Sequence, residues 1–175
     1  MEAKELIVNS LRESREYINR AIEGLSQEEI AFVPSTSCNS IAFLLWHVAR
    51  VEDMWVNHIF LNEVNIYEKG DWPTRLGTPP EDVGYGYTEE QLIAWPVPNL
   101  GDLTGYAQAV WRKTDTFVEA LTPQQLDTEI SVFNRQGILG VLLAHVITEI
   151  ALHAGQIAYL RGVIRGMEPP LMPPD

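Results

Sequence analysis

Residues 137–165 read GILGVLLAHVITEIALHAGQIAYLRGVIR, and this stretch decides the fold. It holds no proline, and its Leu, Val, Ile and Ala recur at the three- and four-residue spacings of a buried helix face. It is the most apolar segment of the chain, yet a polar line runs through it. His145, Glu149 and His153 follow one another at intervals of four, and Gln156 comes three later. Four positions on a helix advance by about 40° and rise about 6 Å, so consecutive members of this line share a face. A polar stripe within an apolar helix needs partners, because an unpaired buried carboxylate is costly.

Three further helices are expected outward from this one. The first covers about 3–24, with Ile7, Leu11, Ile18, Ile22 and Leu25 on one face and Gly24 at its end. The second covers about 40–60, capped by Asn39 or Ser40, with Ile41, Leu44, Val48, Val51, Trp55 and Ile59 as its stripe. The third covers about 101–121, with Asp102 as cap and Tyr106, Val110, Phe117 and Leu121 on its apolar face. Four such helices predict an all-α four-helix bundle. The prolines at 73, 79, 80, 96 and 98 break the stretch 61–100 into a long crossover from helix 2 to helix 3. A short helix is expected at Thr88–Ala94. The crossover brings Trp72, Tyr85, Tyr87 and Trp95, either as padding on the bundle or as a lid over a site. The bundle domain is placed at 1–166 and an extended proline-rich tail at 167–175.

A faint internal repeat accompanies this layout. FLLWHVARVE in the second helix parallels VLLAHVITEI in the fourth, which aligns His47 with His145.

Composition narrows the function classes. The 175 residues include 12 Lys+Arg against 24 Asp+Glu, a formal charge of −12. Phosphate neutralisation needs clustered cations, so nucleic acid and anionic membrane surfaces are poor partners. At 46% apolar residues the chain can build a core. Its one cysteine, Cys38, excludes an internal disulfide or a cysteine-rich zinc module. The longest uninterrupted apolar run is far short of the roughly 20 residues that span a bilayer. With no basic, apolar leader at its start, the chain is expected in the cytoplasm. GYGY at 84–87 lacks the strand before it and the helix after it that a phosphate loop needs.

The chemistry concentrates in two helices. His47 sits among Leu44, Val51 and Met54 at inward spacings, so it is available to the polar line of the fourth helix. Two imidazoles and a carboxylate from two helices can hold a divalent ion and leave a coordination position open. A lone inward histidine is more often a hydrogen-bonded core residue, and a Glu-to-His pair at four residues is common on solvated faces. On spacing alone, His145 pairs with Glu149 as well as His153 does. His145 and His153 lie about 12 Å apart along the axis and do not easily share one ion. His58 is expected at the surface or at the bundle end.

SIAFLLWHVARVEDMW (40–55) followed by HVITEIALHAGQIAYLRG (145–162) closely resembles the DinB/YfiT-like superfamily. The resemblance covers nearly the whole chain, including helix order and the long crossover. It implies a four-helix bundle binding a divalent ion, most often zinc or nickel, through three side chains. These match His47, Glu149 and His153, leaving His145 and Gln156 as surrounding groups or, for His145, an alternative ligand. Many members carry histidine at the position of Glu149, and Arg where this chain has Ala154. A carboxylate is a harder ligand than imidazole, which leaves the metal's identity open. The resemblance further implies a low-molecular-weight thiol, mycothiol or bacillithiol, transferred to a small electrophile, and a homodimer. The alternative is a non-catalytic bundle that the ion braces, as in a stress-related protein.

Overall fold

The computed structural model describes residues 2–133 and 135–166, so the tail expected at 167–175 lies outside the described residues. The first long helix, α1 (Ala3–Ile22), buries Leu11, Ile18 and Ala21 and turns out through Gly24 at φ 68°. Ser26 caps α2 (Gln27–Ala31) in a reciprocal box with Glu29. The second bundle helix, α3 (Ile41–Asp53), starts at Ser40, whose hydroxyl accepts from the Phe43 amide at 3.1 Å. Every one of its residues is buried. It widens into a π-helical segment at Met54–Phe60, a feature frequent at functional sites.

Three short helices form the crossover: α4 (Ile66–Lys69), α5 (Trp72–Leu76) and α6 (Glu89–Ala94). Thr88 caps the last of them, as its TEEQ sequence suggests. The third long helix, α7 (Leu100–Ala120), is capped by Asn99, one turn before the expected Asp102; Asp102 supplies the amide that Asn99 accepts. A two-stranded antiparallel hairpin follows, β1 (Glu129–Val132) and β2 (Arg135–Ile138). The fourth helix, α8 (Leu139–Arg165), therefore begins two residues later than its apolar pattern suggests. Gly137 and Ile138 pair with Ile130 and Glu129 in the ladder, which overrides their helical spacing.

Side-chain contacts fix the directions of the bundle. His47 on α3 meets His153 on α8, and Trp55 meets His145, so these two helices are antiparallel. Phe60 stacks on Phe117 while Arg50 reaches Tyr106, so α3 and α7 are parallel. Lys4 reaches Glu119 and Arg15 reaches Asp115, so α1 and α7 are antiparallel. The order is up-down-down-up. Two consecutive parallel helices need a connection that returns along the bundle, which is the physical reason for the long crossover.

The crossover is bolted to α3 by buried polar groups. Asp53 accepts from the amides of Ile66 (3.0 Å) and Tyr67 (2.9 Å), from Asn57 (2.8 Å) and from the Tyr106 hydroxyl (2.8 Å). Arg50 donates to the carbonyls of Asp82 (3.0 Å) and Pro80 (2.7 Å) and lies over the Tyr67 ring. Trp72 and Trp95 pack against the core, whereas Tyr85 is exposed. The crossover thus pads the bundle through Tyr67, Trp72, Leu76 and Trp95, while Val64, Tyr85 and Ile93 point outward.

Burial also separates composition from position. Among the described residues α8 alone is long and apolar enough to cross a bilayer by those two criteria. Here it packs against both α1 and α3 and leaves Val141, Leu152, Tyr159 and Val163 outward. The fully enclosed helix is α3, flanked by α8, α7, α2 and the crossover.

Candidate metal centre

Where α3 and α8 face each other, the rings of His47 and His153 lie edge to face with centroids 5.0 Å apart. His47 is nearly buried at 8% exposure. Its Nδ1 donates to the Val83 carbonyl at 2.5 Å. A carbonyl only accepts, so Nδ1 carries the hydrogen and Nε2 keeps its lone pair. Burial pushes the His47 imidazole below its usual pKa; the Val83 bond and Glu149 oppose this, and His153 adds to it. His47 is therefore neutral at neutral pH, the form that ligates.

His153 shows the same pattern. Its Nδ1 donates to Gln156 Oε1 at 2.7 Å, again leaving Nε2 open. Glu149 sits one turn before it, with Oε2 3.6 Å from His153 Nε2 and Oε1 4.0 Å from His145 Nε2. Both separations exceed a hydrogen bond, so the carboxylate is not tied to either ring. Metal-ligating histidines almost always donate their second ring nitrogen to a carbonyl or carboxyl oxygen, which fixes tautomer and orientation. His47 and His153 both do so, and the Glu149 carboxylate lies one turn before His153. Among the described residues, no group of three or more His, Cys, Asp or Glu side chains is arranged so that it could hold a metal ion.

The structure separates the remaining sequence candidates. His145 is half exposed and packs its ring on Trp55, 5.4 Å between centroids. The internal repeat explains this, because the register aligning His47 with His145 also aligns Trp55 with His153. Across the antiparallel pair, each histidine therefore meets the other repeat's second position. Gln156 holds His153 in place. His58 is exposed. Cys38 lies half buried, 3.2 Å from the Ser35 hydroxyl.

The strap over His47 was not among the sequence candidates. Gly84 has φ +77°, and a Cβ there would stand 2.7 Å from Trp46, 2.9 Å from Phe43 and 3.1 Å from His47 Nδ1. Only glycine lets the backbone come this close. Asp82 accepts from the Gly84 amide at 2.8 Å and from the Tyr87 hydroxyl, and burial together with that carboxylate raises the Tyr87 pKa. Arg50 holds the same segment by its carbonyls. The readable signal was GYGY itself, whose first glycine, Gly84, serves a close approach to an imidazole. The Val83 contact is made through the main chain and leaves no side-chain trace.

The up-down-down-up bundle with its histidine pair and neighbouring glutamate is that of a DinB-like helical protein. The chain belongs to the mycothiol S-transferase family, whose profile matches residues 6–166. A crystal structure of a conserved protein from Enterococcus faecalis has the same fold, with a TM-score of 0.84 and 21% identity, covering 95% of this chain and 99% of that one. No curated protein matches the chain.

Proposed function

We propose that this protein is a divalent-metal-dependent thiol S-transferase that joins a low-molecular-weight thiol, mycothiol or bacillithiol, to a small electrophile. The observation that carries the reading is the pairing of His47 and His153, each with Nδ1 held and Nε2 open. His47, Glu149 and His153 would hold the ion, zinc or nickel. When bound, the ion supplies charge that favours thiolate over thiol near neutral pH.

The chain's own residues do the rest. Val83 and Gln156 fix the two imidazoles as Nδ1–H tautomers. Glu149 contributes one negative charge, which leaves a site less cationic than a three-histidine one. The buried wall of Phe43, Trp46 and Trp95 beside His47 excludes water from one side. His145, half exposed one turn from Glu149, orients a reactant at the open side. We assign the protein to the cytoplasm as a homodimer, which light scattering tests directly.

The test is metal analysis of untagged protein followed by a thiol-transfer assay. The reading expects close to one chelator-exchangeable divalent ion per chain and transfer activity that chelation removes. Bound metal with no thiol altering the spectrum of the cobalt-substituted protein would refute thiol transfer. The ion would then be a brace, and chelation would lower the melting temperature alone.

A further inference from the structure

Between Val141 and Val163, α8 turns an uncharged face outward. None of the residues exposed over that span is Lys, Arg, Asp or Glu. The surface around it differs: the chain carries a net charge of −12, and the neighbouring α1 exposes Glu5, Arg12, Glu13 and Glu16. Val141, Leu152, Tyr159 and Val163 on this face are each about half exposed or more. Apolar strips of this extent mark places where another surface docks.

The strip is symmetric about Leu152. His145 and Tyr159 lie seven residues to either side of it, and Val141 and Val163 eleven. At about 100° per residue, all four fall within about 20° of the direction of Leu152. Turned about a two-fold axis at Leu152, a second α8 lies antiparallel on the first and brings matching chemistry together. Leu152 meets the partner's Leu152, Val141 meets the partner's Val163, and the partner's Tyr159 stands beside His145. On one flank Thr148 faces the partner's Gly155. A Cβ on Gly155 would find nothing within 4 Å, so the backbones have room to approach there. On the other flank Glu149 faces the partner's Gln156. His153 occupies Gln156 Oε1, which leaves Nε2 to donate to a carboxylate across the axis.

We propose that two copies of this chain pair through α8 in this antiparallel register, and that each copy's Gln156 donates to the other's Glu149 at the edge of the His47–His153 site. The proposal rests on the homodimer reading above and is independent of what the site binds. Three features favour a second copy as the occupant. A two-fold interface needs a self-complementary patch, which the spacing about Leu152 supplies. Two chains of charge −12 meet here without opposing carboxylates. With the grooves on its two flanks, both lined by Gly155, the 27-residue helix offers a strip about 40 Å long and about 20 Å wide. That is about 800 Å2 per copy, the area a stable interface buries.

Cysteine pairing and mass test this on the full-length protein, with Cys38→Ser as background. At a helix separation of about 10 Å and a Cα radius of about 2.3 Å, the two Cα atoms at position 152 stand about 5 Å apart, within disulfide range. Leu152→Cys should therefore oxidise to a covalent dimer. Val141→Cys and Val163→Cys, each about 33 Å from its own copy across the axis, should stay unlinked alone and should join through a short bismaleimide when the two proteins are mixed. Light scattering should give two chains of 19.7 kDa for the wild type. Leu152→Glu, at an exposed position that tolerates charge in the single chain, should give one. Gln156→Glu sets a carboxylate against the partner's Glu149 and should raise the dimer dissociation constant at least about tenfold, with Glu149→Gln in the same chain restoring it. A dimer that Leu152→Glu leaves intact and Leu152→Cys does not link refutes this face while the homodimer stands. An intact response at position 152 with none to Gln156→Glu refutes the Gln156–Glu149 contact. A wild-type chain that stays monomeric refutes both readings, and one that also co-sediments with phosphatidylcholine vesicles gives the face to lipid.

Discussion

Replacing Gly84 by alanine tests the strap over His47 quantitatively. Two terms add. At φ +77° an L-residue pays the left-handed penalty of about 1–2 kcal/mol. The new Cβ would also stand 2.7 Å from Trp46 and 2.9 Å from Phe43, two core rings that are 0% and 4% exposed. They have nowhere to go, so the strap must lift. Lifting removes the Val83 carbonyl from His47 Nδ1 and strands a buried donor, worth about 1–3 kcal/mol. Gly84→Ala should therefore destabilise the protein by about 2–5 kcal/mol. Gly86 is the internal control. Its φ is +66°, but a Cβ there meets nothing within 4 Å, so Gly86→Ala should show the backbone term alone, about 1–2 kcal/mol. Urea unfolding gives the two values, and long-range 1H–15N correlation of the histidine rings reports the His47 tautomer. Equal destabilisation by both variants, with the Nδ1–H tautomer of His47 retained in Gly84→Ala, refutes the role assigned to the strap.

Four further outcomes are expected. His153→Ala and His47→Ala should each lose most bound metal, Glu149→His should retain it with a preference for softer-ligand ions, and His145→Ala should leave metal content unchanged; the reverse result for His145 and His153, read by mass spectrometry of the metal, would reassign the ligands. Gln156→Ala removes the acceptor of His153 Nδ1 and should weaken metal affinity about 10–100-fold, whereas an unchanged affinity in a chelator competition would show that Gln156 does not orient the ring. Arg15→Met leaves the buried Glu52 carboxylate without its 2.6 Å partner and should cost about 3–5 kcal/mol, with Glu52→Leu in the same chain recovering most of it; a double variant as unstable as the single one in urea denies the pairing. The Arg165 guanidinium lowers the Glu29 pKa to about 2. A depressed carboxyl stabilises the fold above its unfolded value of 4.5 and loses that contribution as pH falls toward 2. Glu29→Gln should thus lower the melting temperature at pH 7 and make little difference near pH 2, and a deficit that persists in acid would contradict this.

Helix spacing made the bundle legible, because four stripes of apolar residues are a signal each helix carries by itself. The crossover's path was not legible, since it depends on Asp53 and Arg50, which read in sequence as an ordinary charged run at the end of a helix. In the fold both are enclosed, and their buried groups dictate where residues 66, 67, 80 and 82 must lie. The hairpin at 129–138 was hidden for a related reason: Gly137 and Ile138 continue the apolar pattern of α8, and only the partner strand shows that they are extended. Within the site, spacing left His145 and His153 equivalent beside Glu149. The antiparallel register with α3 separates them, placing Trp55 against one and His47 against the other.

The location of the donor set follows from how α3 is enclosed. A helix surrounded by protein must satisfy its polar side chains internally, because water is not there to do it. Arg50 and Asp53 meet this demand with crossover groups, and Glu52 meets it in part, through Arg15 at Oε1, while Glu52 Oε2 and Trp46 Nε1 are buried without a hydrogen-bond partner. His47 meets it with one nitrogen only, through Val83. Its second nitrogen has no hydrogen-bond partner among the described residues, while its ring abuts His153, whose own second nitrogen is likewise open. His47, at 8% exposure, and His153 each have Nδ1 held, with the Glu149 carboxylate one turn away, and the proposed metal site rests on these three groups. Burial, which lowers the His47 pKa, works in the same direction by keeping the lone pair free of a proton. The strap at Val83–Gly84 thus sets the His47 ring against the polar line of α8.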